Sequence, residues 1–155
     1  MKGNYVLLIK LDKSQYVPIG KLGVLYFIRG YYAYVGSALN GIEARVNRHF
    51  NPHKKHHWHI DYLLDKGIIY EVFIIPTQNK LECKIASAIS REFNCISRFG
   101  AGDCRCPGHL FYSTRKNGLS TRAAGVLTDL GVTFLHYRVP VPRSTPPSPV
   151  ILYRH

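Results

Sequence analysis

The chain has 155 residues, 46 % of them apolar, which suits one globular domain and argues against a disordered chain. Against 21 Lys plus Arg stand only 9 Asp plus Glu, a formal charge of +12. A small domain this basic is suited to a polyanion, and nucleic acid is the first candidate.

Tyr5 to Leu11 (YVLLIKL) reads as a buried strand. Its apolar part is too short for a membrane span of ~20 residues, and no membrane partner is expected. Val24 to Ile28 and Tyr31 to Gly36, on either side of Arg29-Gly30, read as a hairpin. Ala38 to Phe50 switches to helical spacing, with Asn40 as its expected cap, Glu43 as capping-box partner, and Ile42, Val46 and Phe50 as its apolar stripe. A polar loop follows, then a short helix at Trp58 to Leu64. Ile68 to Ile75 (IIYEVFII) is a strong strand, and Asn79 to Phe93 a helix with Leu81, Ile85, Ala88 and Ile89 on one face. Phe99 to His109 is irregular and rich in Gly and Cys; Leu119 to Leu130 reads as a last helix and Val132 to Val139 as a last strand. The domain is expected over residues 1–139, and the five prolines between Pro140 and Pro149 mark 140–155 as an extended tail. The class is α+β.

Chemistry concentrates in the first helix. At about 100° per residue, His49 and Arg45 fall at about −20° and −60° from Ile42, on the edge of the buried stripe. Tyrosines from the strands could meet them there. There is no phosphate-binding loop, dinucleotide fingerprint or His-Glu-x-x-His, so nucleotide triphosphatases, nicotinamide enzymes and zincins are set aside. With nothing to suggest export, the four cysteines read as reduced, cytoplasmic thiols.

The string Tyr34-Val35-Gly36-Ser37-Ala38, then Arg45, Arg48, His49 and Phe50, preceded by Gly3-Asn4-Tyr5, resembles the GIY-YIG endonuclease superfamily. Gly36 to Arg45, His57 to Tyr62 and Phe99 to Tyr112 resemble its archaeal Uri-type branch, which also occurs fused to DNA-repair glycosylases. The resemblance implies a small antiparallel sheet flanked by helices, here with an extra strand at Val24 to Ile28 between the two motifs. It implies a metal-dependent DNA endonuclease using one Mg²⁺ or Mn²⁺, with DNA repair as the candidate setting and branched or damaged DNA as candidate partners. By position, Tyr5 would be general base or water-positioner, Tyr34 a second tyrosine of the pocket, Arg45 the phosphate-binding arginine and His49 a proton-transfer partner. Glu82, first in an inward-facing row with Ala86, Ile89 and Phe93, resembles the family's metal ligand, although Asn79-x-x-Glu82 also has capping-box spacing. Of the other carboxylates, Glu71 lies in a strand of undetermined facing, Glu92 late in its helix and Asp61 with the histidines of 53–59, and the rest read as a cap or as loop and surface groups.

Two further groups remain. Lys54, Lys55, His57, Trp58 and His59, with Arg48, read as a nucleic-acid contact, favoured over a metal site because the histidine spacing fits no ligand frame. Cys104, Cys106 and His109 with one more thiol, Cys83 and Cys95 lying upstream, could hold a structural Zn²⁺, but separate buried thiols are the preferred reading. The rival to the enzyme is a nucleic-acid-binding module that keeps the fold and does not cut.

Overall fold

The computed structural model describes residues 1–102 and 104–140, so the proline-rich segment expected as a tail lies almost wholly outside the described residues. The chain runs β1 (Gly3–Leu11), β2 (Gln15–Pro18), β3 (Val24–Phe27), β4 (Gly30–Ala38), α1 (Ile42–Phe50), α2 (His59–Leu64), β5 (Ile68–Pro76), α3 (Glu82–Ser90), β6 (Asn94–Cys95), β7 (Leu110–Ser113), α4 (Lys116–Asp129) and β8 (Leu135–Arg138). Six strands form one sheet in the order β6-β7-β4-β1-β5-β8, with every pairing antiparallel. The fold is α+β, a sheet flanked by helices. No helix among the described residues is long and apolar enough to cross a membrane.

Both faces of the sheet are covered, which is why β1 reads as a continuous apolar run instead of alternating. Tyr5, Leu7, Ile9 and Leu11 share one face with Tyr32 and Tyr34 and pack under Ile42 and Val46 of α1, Ile60 and Leu63 of α2, and Phe99. Val6, Leu8, Ala33 and Val35 face the other way, against Ile85 and Ile89 of α3 and Leu119, Ala123 and Leu127 of α4. Burying each such side chain stabilises by roughly 1.5–3 kcal/mol before chain entropy is counted.

Three local expectations fail. The run Val24 to Ile28 does not pair with Tyr31 to Gly36; β3 pairs with β2 in a separate two-stranded sheet. The reason is occupancy, because both edges of β4 are taken by β1 and β7. The insertion between the two motifs is therefore two strands, not one. Asn40 does not cap α1: the helix starts at Ile42 after Gly41, whose φ of 144° belongs to glycine, and no side chain caps it. Helix α3 begins at Glu82, not Asn79, after Leu81 as N-cap and again without a side-chain cap. Asn4, fully buried, organises that start from the neighbouring strand, its side chain donating to Asn79 O at 3.0 Å and accepting from Leu81 N at 3.0 Å.

Candidate functional site

The β1–β4 register opposes Tyr5 to Gly36 and Leu7 to Tyr34, so both tyrosines rise from one face of the sheet. Their rings lie 6.3 Å apart. Gly36 is required there: a Cβ on it would sit 2.4 Å from Tyr5 Cζ and 2.5 Å from the hydroxyl oxygen. Tyr34 packs edge-on to Phe99.

Helix α1 brings His49 and Arg45 to the same place. Tyr5 is 1 % exposed and His49 3 %, and the Tyr5 hydroxyl and His49 Nε2 share a hydrogen bond at 2.8 Å. Burial pushes the Tyr5 phenol well above its ordinary value, although Arg45 draws it back. Burial lowers His49 to about 3; Asp61 opposes this, and Arg45, Lys54 and Arg48 add to it. At neutral pH the pair is a phenol and a neutral imidazole. Tyr34 is likewise held protonated by burial. Arg45 donates to Ser37 O at 3.1 Å, and its guanidinium lies 4.1 Å from the centre of the Trp58 ring.

Trp58 is fixed by Asp61, which the sequence groups with the neighbouring histidines and the structure gives to Arg48. Asp61, 0 % exposed, takes the Arg48 fork on both oxygens at 2.8 and 3.0 Å and accepts from the amides of His57 and Trp58 at 2.8 and 2.9 Å. Arg48 also donates to Lys55 O and stacks on Trp58 at 4.5 Å. Two guanidinium groups thus share one indole, and the clamp sets where Arg45 stands.

The other expected contacts divide. Lys54 donates to His49 O and Asn51 O at the end of α1. His59 Nδ1 accepts from Gly100 N at 2.9 Å, tying α2 to the loop before β7. Lys55 and His57 are exposed, His57 edge-on to Trp58. The histidines of 53–59 do not converge; His56 pairs with Asp65.

Glu82 is the first residue of α3 and faces the same cavity as the tyrosines. Tyr5, Tyr34, Arg45, Trp58, Glu82 and His109 line one cavity of about 260 Å³, with Gly36 in its wall and His49 behind Tyr5. Lys80 Nζ lies 3.2 Å from Glu82 Oε1, and His109 Nδ1 lies 4.0 Å from Oε2. Glu71, a buried carboxylate of β5, is elsewhere: it bonds Ser120 and His136 and lines a separate cavity with Lys116 and Arg138.

The cysteines expected as separate buried thiols converge instead. Cys83, Cys104, Cys106 and His109 have ligand atoms all within 4.8 Å of one another, a group that could hold a metal ion. Cys104 Sγ lies 3.3 Å from His109 Nε2, and Cys83 Sγ 3.9 Å. Burial and the neighbouring thiols push Cys106 upward.

A family model described as a domain of unknown function, DUF123, matches residues 4–132. The chain belongs to the DUF123 family. No curated protein and no solved structure matches the chain significantly. The family span runs from Asn4 to Val132, just past α4, and takes in the tyrosine pair, Arg45, His49, Glu82 and the Cys/His group. The clamp of Asp61 on Arg48 and the bonds of Asn4 to the start of α3 were not legible in the sequence, whereas Cys83 is one of the two upstream thiols that the sequence offers to the Cys/His group.

Proposed function

We propose that this DUF123 chain is a metal-dependent endonuclease of the GIY-YIG type that hydrolyses DNA phosphodiester bonds. One observation carries the reading: two tyrosines, an arginine and a carboxylate from four separate elements line a single cavity, with a neutral histidine bonded to one tyrosine. Phosphate binding alone gives no reason to aim Glu82 into a cavity that Arg45 also faces.

The residues suit in-line hydrolysis. Arg45, held by Ser37 O and Trp58, presents a pre-placed guanidinium to the phosphoryl oxygens, where charge grows in the transition state. The attacking water passes a proton to Tyr5 Oη as the Tyr5 proton moves to His49 Nε2 along the 2.8 Å hydrogen bond. The new P–O bond forms as the ester P–O bond breaks, and the leaving oxygen takes a proton from solvent. Neither a free phenolate nor an imidazolium is needed beforehand, in keeping with the high Tyr5 and low His49 values. Tyr34 shapes the opposite wall.

Glu82 is the only carboxylate among the described residues lining this cavity, and its oxygen donors with water fit a hard cation such as Mg²⁺ or Mn²⁺. Such an ion supplies Lewis-acid stabilisation of phosphoryl oxygen. The +12 charge and the exposed Lys55 and His57 beside Trp58 favour a nucleic-acid backbone as substrate. The free thiols agree with a reducing, cytoplasmic setting.

Incubating the chain with supercoiled, single-stranded and branched DNA in Mg²⁺, Mn²⁺ or EDTA tests this. Nicking that requires the divalent ion supports an enzyme. Salt-dependent binding without cutting on any substrate transfers the site to a binding module.

A further inference from the structure

The Cys/His group stands apart from the hydrolytic proposal and does not depend on it. Its donors come from three places in the chain: Cys83 in the first turn of α3, Cys104 and Cys106 in the loop between β6 and β7, and His109 one residue before β7. Tetrahedral zinc with thiolate and imidazole bonds of about 2.3 and 2.0–2.1 Å sets its donors roughly 3.5–3.8 Å apart. The spacings of 3.3 and 3.9 Å from His109 Nε2 to Cys104 and Cys83 bracket that range, and all four ligand atoms lie within 4.8 Å of one another.

The backbone around the group is built to hold it. Arg98 N donates to Pro107 O, His109 N to Phe99 O at 2.7 Å, and Val35 N to His109 O at 2.9 Å, which pins the loop to itself and to β4. A Cβ at Gly108 would lie 2.4 Å from Ile96 O, so the chain passes there only as glycine. His109 is 2 % exposed with Nε2 toward the thiols and Nδ1 toward Glu82. That is the carboxylate–histidine–metal order in which an outer carboxylate orients a ligating imidazole.

We propose that Cys83, Cys104, Cys106 and His109 bind one structural Zn²⁺ that fastens the start of α3 to the β6–β7 loop. Three thiols and one imidazole complete a four-coordinate shell, leave no open position and favour zinc over a hard cation. On binding, the three thiols lose their protons to solvent and form three S–Zn bonds, with no change of oxidation state. Because Gly100, Cys104, His109 and Glu82 all line the candidate cavity, the ion fixes one wall of it. A disulfide would use two of the thiols and leave the third and His109 without a shared partner.

The test is metal content by plasma mass spectrometry, with cobalt titration of the zinc-stripped chain. The wild type should carry one zinc per chain, and cobalt should give thiolate charge-transfer and tetrahedral visible bands that saturate at one equivalent. Cys106→Ser should weaken binding by at least about 10–100-fold, the loss typical of even an outer-shell change. Cys95→Ser, whose Sγ lies beside Ile96 O and outside the group, should keep the full zinc content. Glu82→Ala, which removes only the outer carboxylate, should still take up one zinc per chain at saturating metal, with affinity lowered by about 10–100-fold. Since Cys106→Ser could fail to fold, the wild-type cobalt spectrum decides independently. Wild-type protein from zinc-supplemented cells that holds no zinc and gives no cobalt–thiolate bands would overturn the proposal. So would undiminished zinc in a folded Cys106→Ser, or an intact mass two hydrogens short from a disulfide.

Discussion

Replacing Asp61 with Ala removes the centre of the clamp that holds Trp58 under Arg45. The carboxylate is fully buried and accepts four hydrogen bonds, two from Arg48 and one each from the His57 and Trp58 amides. Breaking a buried pair by removing one partner costs about 3–5 kcal/mol, because the other charge stays behind. The Arg48 side chain is 27 % exposed and can regain some water, which places the loss near the lower end, about 3 kcal/mol. For a chain of this size that is a fall in Tm of ~6–12 °C, read by circular dichroism at pH 7. Acid supplies a second reading of the same contact. Burial pushes the Asp61 carboxyl up, but Arg48 and the two amides pull harder and hold it below the ordinary value of 3.8. A depressed carboxylate stabilises above its unfolded value and loses that contribution as pH falls through its folded value, so the gap between wild type and Asp61→Ala should close below pH ~3.8. Arg48→Met should lose much less on the Asp61→Ala background than alone. A melting point within about 2 °C of wild type, or strict additivity of the two changes, would refute the clamp.

Gly36→Ala drives a methyl group into the Tyr5 ring, with contact at 2.4 Å, and should cost about 1–3 kcal/mol of stability in urea melts. Any DNA cleavage should fall further than that loss implies, since the Tyr5 hydroxyl moves off His49; unchanged cleavage would contradict the proton relay. His49, lowered by burial from 6.5 to about 3, is neutral when folded while the unfolded chain takes up the proton, so stability falls as pH drops below ~6.5. At ~1.4 kcal/mol per pH unit the loss from this group is on the order of 2 kcal/mol at pH 5. Urea melts at pH 7 and 5 should show a smaller pH response in His49→Leu, and an equal response would count against a buried neutral imidazole.

The sequence was most informative where burial repeats regularly. β1 and β5 are continuous apolar runs because helices cover both faces of the sheet, and the stripe of Ile42, Val46 and Phe50 places Arg45 and His49 at its edge. Pairing was less legible. The strand Val24–Phe27 carries nothing that says whether its partner precedes or follows it, and occupancy of β4 by distant β7 decided the matter. Site residues that act through another element were hidden for the same reason. Asn4 shapes the start of α3 across the sheet from it in sequence, and Asp61 reads as a helix residue until Arg48 is seen on both its oxygens. Cys83 joins Cys104 only because the start of α3 lies beside the β6–β7 loop.

The most direct test of the proposed chemistry is metal-dependent nicking of supercoiled DNA by wild type, Arg45→Ala and Glu82→Ala, with DNA affinity measured on the same samples. The expected result is Mg²⁺- or Mn²⁺-dependent cutting by the wild type. It should fall roughly 100- to 1000-fold in Arg45→Ala, the usual loss for one transition-state donor, and should disappear in Glu82→Ala while DNA binding persists. Cutting that survives both substitutions would place the chemistry outside this cavity, and a wild type that binds DNA but never cuts it would contradict the endonuclease reading.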